Sequence, residues 1–344
     1  MIEIKGKKIV LIGGAGFIGH NIALKLKELG ADVSVVDNLL VNNYYSFKEK
    51  EHTSPEAGLY INMVQQRLDL LRDKKINLVK VDAREYDKLS IAIGALNPDV
   101  IIHLAAVAHA DRSNKDPFST FDHSLRTLEN ALDIARSPEL SVKHFIYFSS
   151  SMIYGNFPNG SVTEETPCQP IGIYGALKFA GEKMVVAYNQ VFNLPYTIVR
   201  PSALYGERCV SRRVGQIFIE SALKGEDINI KGDGSDKLDF TYVGDLVQGI
   251  VKTIQSEKSK GEIFNLTYGE ARSIAQMSDI IKQHFPKAKV IFQPRDKLMP
   301  SRGTLDVDKA RKLIGYDPQF PLEKGYVEYI NWYKSAWTDL TKKR

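Results

Sequence analysis

The sequence predicts an α/β protein built on a doubly wound parallel sheet, with a smaller lobe toward the C-terminus. Through the first 200 residues, short and almost continuously apolar segments alternate with longer segments of helical spacing. This is how buried parallel strands alternate with helices. Beyond residue 200, glycines, prolines and charged turns come closer together and the apolar segments shorten. We therefore expect one domain over residues 1–200 and a smaller lobe, interleaved with it, over residues 201–344.

The elements of the first domain can be placed in order from these patterns. Apolar runs predict strands at residues 9–12, 31–36, 77–82, 99–106, 145–148 and 196–200. Helical spacing predicts helices after the first strand, over 86–96, through 118–136 and over about 174–191. Short strands are expected in the second lobe at 227–230 and 290–292.

Residues 41–75 form an insertion that is longer than a compact strand–helix–strand unit needs. The insertion contains the aromatic residues Tyr44, Tyr45 and Phe47 and then a helical pattern over 59–71. A lid, a partner surface and an inert excursion are all compatible with this pattern.

A glycine-rich turn joins the first strand to the first helix. Gly13 permits the sharp turn, Gly16 lets the backbone approach a pyrophosphate, and Gly19 lets the helix pack close to the strand. The phosphates then meet free N–H groups at the helix N-terminus. Asp37 ends the second strand, where a carboxylate accepts hydrogen bonds from both ribose hydroxyls and repels a 2′-phosphate. The unit predicts a Rossmann-type domain that binds NAD in preference to NADP.

A second group of residues is suited to acid–base chemistry. Tyr174 and Lys178 lie four residues apart on a predicted helix and therefore share one face. The ammonium group is expected to lower the pKa of the tyrosine, which can then accept a proton from a substrate hydroxyl. The serines at 149–151 lie about 24 residues upstream, at the carboxyl end of a predicted strand, where ligands of open sheets bind. We expect one of these hydroxyls to share the substrate proton.

Composition narrows the choice of partners. The net charge is +5 without a basic stripe interleaved with aromatics, so we expect no nucleic acid; a modest positive charge suits an anionic small molecule. We also expect no membrane partner, because no apolar run reaches transmembrane length and no signal region precedes the first strand. Cys168 and Cys209 form no disulfide framework, and neither they nor the seven histidines have metal-ligand spacing. The sequence thus predicts a cytoplasmic protein without a metal site.

Together these motifs resemble those of the extended short-chain dehydrogenase/reductases, in particular the NAD-dependent nucleotide-sugar epimerase/dehydratase family. The resemblance follows family order over nearly the whole chain. It rests on residues 13–19, 37, 82–83, 103–106, 149–155, 174, 178, 200–201, 205–206, 232–235, 239–243, 264–266 and 302–306. It implies NAD as cofactor, a nucleotide sugar as substrate, with UDP favoured, and a homodimer formed through the helices at 118–136 and 174–191.

The resemblance also implies roles for single residues. Ser150 matches the catalytic Ser/Thr, Tyr174 the base and Lys178 its partner. Cofactor contacts are expected for Gly13, Gly16, Phe17, Ile18, Gly19, Asp37, Asn38, Asp82, Ala83, Leu104, Ala105, Ala106, Ser149, Tyr174 and Lys178. Substrate contacts are expected for Ser151, Met152, Arg200, Arg213 and Arg302, of which Arg302 resembles the arginine that binds the diphosphate.

Several substrate-side positions depart from the family pattern. Family dehydratases carry Asp-Glu directly after the catalytic Ser/Thr, where this chain has Ser151 and Met152. The usual asparagine before Tyr-Gly is Ala203, and the usual arginine before Asp-Phe is Leu238. Arg208, Arg212 and Arg213 are candidates for replacement phosphate contacts.

The departures favour 4-epimerisation through transient oxidation of C4, because this reaction needs no second acid–base pair. A dehydratase or C5 epimerase would need another acid or base, such as His109, His123 or Cys168, since His103 belongs to a buried strand. A keto-sugar reductase that consumes free cofactor and an NAD-binding protein without turnover are further alternatives.

Overall fold

Strands and helices alternate along the chain, which a computed structural model describes over residues 2–51, 56–107, 110–295 and 299–341. The strands are β1 (Lys8–Ile12), β2 (Asp32–Val36), β3 (Asn77–Val79), β4 (Val100–His103), β5 (His144–Phe148), β6 (Ser161–Val162), β7 (Tyr196–Arg200), β8 (Leu204–Tyr205), β9 (Ile228–Lys231), β10 (Lys237–Leu238), β11 (Thr241–Tyr242), β12 (Glu262–Asn265), β13 (Arg272–Ser273), β14 (Val290–Gln293) and β15 (Thr304–Leu305). The α-helices are α1 (Phe17–Glu28), α2 (Tyr44–Lys48), α3 (Ala57–Asp73), α4 (Tyr86–Leu96), α5 (Ala110–Lys115), α6 (Pro117–Phe121), α7 (Thr127–Ala135), α8 (Gly172–Phe192), α9 (Val214–Lys224), α10 (Val243–Gln255), α11 (Ile274–His284), α12 (Asp308–Ile314) and α13 (Leu322–Thr341).

The central sheet has seven parallel strands in the order β3–β2–β1–β4–β5–β7–β12. The strand order reverses at β1, because the chain moves outward to β3 on one side and to β12 on the other. Open sheets bind ligands outside the carboxyl ends of the strands at such a reversal, here between β1 and β4. The predicted doubly wound parallel sheet is confirmed.

The two faces of the sheet are both buried, as the continuous apolar strands predict. Ile9 and Leu11 of β1 pack into one core with α1 and α10, whereas Val10 and Ile12 pack into the other with α4 and α7. Side chains alternate across a strand, so a strand buried on both faces must be apolar throughout.

The second half of the chain does not form a separate layer. β12 comes from this half and pairs with β7, so it completes the central sheet. The predicted short strands are present as β9 and β14, and they pair in parallel with each other. A third core lies among α9, α11 and α13, with Phe218, Met277 and Tyr326 in its centre.

The insertion packs on this third core. It folds into α2 and α3, and the apolar side chains Leu59, Met63 and Val64 of α3 are buried among residues of the second half. The phenol of Tyr60 donates a hydrogen bond to Glu220 at 2.7 Å. Helix α3 is therefore fixed by tertiary contacts on its apolar face.

Three predicted elements differ in detail. The strand expected over 77–82 ends at Val79. The strand expected over 99–106 ends at His103, and residues 104–106 leave the sheet beside the glycine turn. The helix expected through 118–136 is divided into α6 and α7 by a π-helical segment, Asp122–Arg126. No helix of the described ranges is long and apolar enough to cross a bilayer.

Candidate active site

The glycine turn closes against the loop that follows β4. Gly13 has φ +79°, and a Cβ atom there would lie 2.7 Å from the backbone nitrogen of Ala105. A Cβ atom on Gly19 would lie 2.5 Å from the Cα atom of Gly14, so any side chain would push α1 off the turn. Helix α1 starts at Phe17 with Gly16 as its N-cap, which leaves space at the helix N-terminus for an anion.

Two carboxylates, those of Asp37 and Asp82, lie opposite the glycine turn and the N-terminus of α1. Asp37 accepts hydrogen bonds from the backbone N–H groups of Ala15 at 3.0 Å and Leu39 at 2.7 Å, while burial raises the pKa of its carboxyl group. Burial also disfavours the charged form of Asp82, but hydrogen bonds from Arg84 and Asn38 outweigh it and lower the pKa to about 2.

A cavity extends between the turn and the two acids. Its lining includes the following residues that were predicted to contact a cofactor: Gly13, Gly16, Phe17, Ile18, Gly19, Asp37, Asn38, Asp82, Ala83, Leu104, Ala105 and Ala106. We call it the cofactor cavity. Sequence reasoning missed several other lining residues, of which Val41, Asn42 and Arg67 belong to the insertion. The available signal was an arginine, Arg67, within the helical pattern of apolar residues over 59–71.

A second, larger cavity of about 660 Å³ lies past the ends of β5 and β7. We call it the substrate cavity. Its lining includes Ser149, Ser150, Ser151, Met152, Tyr174, Lys178, Arg213 and Arg302. The two cavities share lining residues, among them Ile18, Leu104 and Arg213, and are therefore neighbours. Lys115, Lys231 and Met299 also line the substrate cavity and had no local motif that could identify them.

The serine segment turns sharply after β5. Ser150 caps the short 3₁₀ helix Ser151–Tyr154, since its hydroxyl oxygen accepts from the backbone N–H of Met152 at 3.2 Å. The hydroxyl of Ser151 donates to that of Ser202 at 3.1 Å. Ser149 is buried, and its hydroxyl has no partner among the described residues.

Tyr174 and Lys178 lie in the first turns of α8 and face the serines. Lys178 donates from Nζ to the carbonyl oxygen of Phe148 at 2.6 Å. Burial lowers the pKa of Lys178 to about 8, and the negative charge of Glu182 acts in the opposite direction.

The pKa of Tyr174 moves against the sequence expectation. Burial raises it, while the charge of Arg213 and a hydrogen bond with Ser150 act to lower it. Lys178 was predicted to depress this pKa, and that prediction is wrong for the protein without a ligand. The reason is that the loss of hydration on burial exceeds the stabilisation of the phenolate by nearby groups.

Arg213 and Arg302 are two of the positively charged side chains that line the substrate cavity. Burial and the neighbouring charge of Arg213 lower the pKa of Arg302 to about 10, and its Nε atom is buried without a hydrogen-bond partner in the described part of the chain. A guanidinium group in this state is suited to an anion with several oxygens, such as a diphosphate.

The structure does not bring Arg200 to the substrate cavity, in contrast to its predicted role. Its guanidinium group forms a two-pronged ion pair with Glu182, at 2.9 and 2.7 Å, and donates to the hydroxyl of Tyr154 at 2.8 Å. Both charged side chains are 3% exposed. Arg200 therefore joins β7 to α8 inside the protein.

Three of the other candidate acids and bases, His103, His123 and Cys168, do not line the substrate cavity. His123 lines the cofactor cavity, and Cys168 packs against the small apolar cluster around Tyr154. His103 is buried beside Phe145 and Tyr147, and burial lowers its pKa to about 3. His109 lies outside the described residues. Arg212 forms an ion pair with Glu220 at 3.6 Å and lines neither cavity.

The residues of the cofactor cavity fit NAD. The turn at Gly13 admits no side chain, the N-terminus of α1 offers N–H groups to a diphosphate, and Asp37 presents a carboxylate where a ribose would lie. The fold and this site together define a dinucleotide-dependent enzyme of the Rossmann class.

Comparison with known proteins identifies the family. The chain matches the NAD dependent epimerase/dehydratase family over residues 9–267, and it belongs to this family. It is 32% identical to a protein of Methanocaldococcus jannaschii named "Putative UDP-glucose 4-epimerase", over 95% of this chain and 98% of that protein. The predicted family and the predicted NAD dependence are confirmed.

Two solved structures extend the similarity. The UDP-glucose 4-epimerase of Thermotoga maritima, with UDP-glucose, is 26% identical with a TM-score of 0.80, and the match covers 96% of this chain and 99% of that one. The UDP-glucose 4-epimerase of Thermus thermophilus, in complex with NAD, is 25% identical with a TM-score of 0.80, over 95% and 99% of the two chains.

Proposed function

We propose that this enzyme is a 4-epimerase of a UDP-sugar. The observation that carries the proposal is the composition of the substrate cavity. Its described lining includes Ser150 and Tyr174 but no Asp, Glu, His or Cys. Dehydration or C5 epimerisation needs a second acid or base beside the sugar, whereas inversion at C4 needs only one proton acceptor that later returns the proton.

In this reaction Tyr174 accepts the proton of the C4 hydroxyl, and Ser150 holds the same oxygen by a hydrogen bond. Tyr174 has to be a phenolate before it can accept this proton, and the positive charge of Lys178, four residues further along α8, favours that form. When bound, NAD supplies the two-electron oxidant for C4 and later returns the electrons. Tyr174 then gives the proton back to the oxygen of the inverted centre, so no proton has to come from outside the site.

The nucleotide end of the substrate would bind at the side of the substrate cavity that carries Arg213 and Arg302. Arg213 and Arg302 would bind the diphosphate, and residues 201–344 would carry most of the nucleotide-sugar contacts while residues 1–200 carry NAD. The choice of UDP is supported by the relatives, whose names specify UDP-glucose 4-epimerases. Ser151 and Ser202 present hydroxyl groups to the sugar beside the apolar side chain of Met152.

The direct test uses purified protein without added cofactor. It is incubated with UDP-glucose, UDP-galactose, UDP-N-acetylglucosamine and UDP-glucuronate, and the products are followed by NMR and mass spectrometry. We expect a product of unchanged mass with inverted C4. Loss of one water would overturn the proposal in favour of a dehydratase, and turnover only with added NADH or NADPH would overturn it in favour of a reductase.

We further propose that the enzyme is a cytoplasmic homodimer. Large apolar side chains are exposed on α6 and on the neighbouring α8: Phe118 is 85% exposed and Val191 is 68% exposed. Exposed apolar side chains on two neighbouring helices support a protein interface on this side of the molecule. Both cysteines are free thiols, which is compatible with a reducing compartment.

The oligomer is tested by light scattering during gel filtration. We expect a dimer for the natural protein and a monomer for the double variant Phe118→Glu with Val191→Glu, because two buried carboxylates oppose association. Phe292→Glu is the matched control, since Phe292 is 57% exposed on β14, outside the proposed interface. A natural protein that elutes as a monomer would overturn the dimer.

A further inference from the structure

Helix α3 of the insertion carries a fully buried arginine at the wall of the cofactor cavity. Arg67 has 0% of its surface exposed and is among the residues that line this cavity. A buried guanidinium group loses its hydration, so its position requires hydrogen bonds or a negative charge in return.

The protein itself satisfies only one edge of this guanidinium group. Nε and Nη2 of Arg67 both donate to the carbonyl oxygen of Arg208, the Nε bond being 3.0 Å long. Nη1 is buried and has no hydrogen-bond partner among the described residues. No ion pair joins Arg67 to a carboxylate within that part of the chain. Nη1 therefore remains available to an acceptor from outside the protein.

Two further basic side chains, His20 and Arg208, lie near Arg67 and next to the start of α1. His20 hydrogen-bonds the carbonyl oxygen of Gly16, the N-cap of that helix, at 3.0 Å. Arg208 donates from Nε to the other ring nitrogen of His20 at 3.4 Å. Burial lowers the pKa of His20 well below its usual value, and the charges of Arg67 and Arg208 act in the same direction. The imidazole is therefore neutral. The negative charges of Asp37 and Glu207 act on Arg67 and Arg208, but no direct ion pair joins them among the described residues, so Nη1 of Arg67 still lacks an acceptor.

A dinucleotide supplies the missing acceptor. The N-terminus of α1 is where a bound diphosphate lies in a Rossmann-type domain. A diphosphate brings negative charge and several acceptor oxygens, whereas the ribose beside Asp37 presents hydroxyl groups. Charge complementarity thus matches Nη1 of Arg67 to the diphosphate.

We propose that Arg67 is a cofactor-binding residue whose Nη1 donates to the diphosphate of NAD, and that the insertion over residues 41–75 holds it there. The buried contacts of Met63 and Val64 with the third core keep α3 in place. The insertion would then be part of the cofactor site, which differs from the lid, the partner surface and the inert excursion considered from the sequence. The proposal concerns NAD binding, and it does not depend on which sugar is converted or how.

The test compares two probes on protein stripped of NAD. ADP-ribose carries the diphosphate, and adenosine lacks it. We expect Arg67→Met to weaken ADP-ribose binding by about 10- to 100-fold, the range for a lost hydrogen bond to a charged group. Adenosine binding should be unchanged. Isothermal titration measures the first affinity, and competition measures the second.

Arg72→Met is the matched control. Arg72 lies on the same helix, is 70% exposed and forms an ion pair with Asp69 on the surface. This variant should bind both probes like the natural protein. If Arg67→Met leaves ADP-ribose binding intact, or weakens adenosine binding by the same factor, the diphosphate contact is wrong and Arg67 has a structural role.

A second variant and a variant-free measurement remain decisive if Arg67→Met does not fold. Arg67→Lys keeps the charge but cannot hold the Arg208 carbonyl and the diphosphate together, so it should also lose ADP-ribose affinity selectively. In the natural protein, hydrogen exchange of α3 should slow with ADP-ribose and not with adenosine. Equal protection by both probes would overturn the proposal.

Discussion

The cofactor cavity and the substrate cavity are neighbours, yet the chain builds them in different ways. Most of the cofactor cavity comes from segments that directly follow β1, β2 and β4. The substrate cavity collects residues from α5, the ends of β5 and β7, the start of α8 and positions as distant as Arg302. Most residues of the cofactor cavity can thus be identified from local sequence motifs. The residues of the substrate cavity come together only when segments distant in the sequence pack against each other.

The two cavities also differ in charge. The cofactor cavity combines the carboxylates of Asp37 and Asp82 with Arg67 and Arg213. The substrate cavity has Lys115, Lys178, Arg213, Lys231 and Arg302, with no carboxylate among its described lining residues. A ribose with two hydroxyl groups suits the first arrangement, and a diphosphate with two negative charges suits the second. Variants that affect one cavity and spare the other test this contrast.

The largest effect is expected at Tyr174, which lines the substrate cavity. Tyr174→Phe removes the proton acceptor and keeps the ring, so kcat should fall by about 10²- to 10⁴-fold. The NAD content of the purified protein should not change, because the glycine turn and Asp37 are intact. Turnover is measured by NMR and bound NAD by chromatography after heat release. Retained turnover would show that another group accepts the proton.

Arg200→Met distinguishes the buried ion pair from the predicted substrate contact. It leaves the carboxylate of Glu182 buried without its partner, so the free energy of unfolding should fall by about 3–5 kcal/mol. Denaturant unfolding measures this change. Arg311→Met is the control, since its ion pair with Asp308 is on the surface and should be worth at most about 1 kcal/mol. A stable Arg200→Met protein with weakened substrate binding would instead restore the sequence prediction.

Arg302→Met tests the positive end of the substrate cavity alone. We expect the Kd for UDP to rise by about 10- to 100-fold, because a charged hydrogen bond to the diphosphate is lost. NAD content should stay at the natural level, which separates this variant from Arg67→Met. Arg126→Met, on an exposed arginine paired with Glu129, is the matched control. Equal loss of UDP and NAD would argue against two distinct cavities.

The smallest effect is a shift in the titration of Tyr174. In NAD-free protein the tyrosine should titrate above its ordinary value, because burial raises its pKa. The phenol is then protonated at neutral pH, and phenolate forms only as the pH rises. The positive nicotinamide ring of bound NAD should lower the pKa by about one unit or more. Difference ultraviolet titration of the natural protein against Tyr174→Phe gives both values, and a pKa that does not change on NAD binding would contradict the expected influence of the cofactor.

The sequence alone determined the parallel sheet, the glycine turn and the shared helix face of Tyr174 and Lys178. These features follow from short-range rules: apolar runs for strands buried on both faces, glycine where no Cβ fits, and four-residue spacing on a helix. These features can be predicted from sequence motifs because each depends on residues that are close together in the chain.

Only the tertiary structure decided which partners the charged and titratable side chains have and how their pKa values shift. Arg200 looked available for substrate, but Glu182 of α8 lies against it and neutralises it. Arg67 lay in an insertion without a motif, yet α3 packs so that its guanidinium group reaches the cofactor cavity. The pKa of Tyr174 rises instead of falling because burial, which depends on every packed neighbour, outweighs the charges nearby. The chemistry of a charged group depends on its hydration and its partners, and both are set by segments far apart in the sequence.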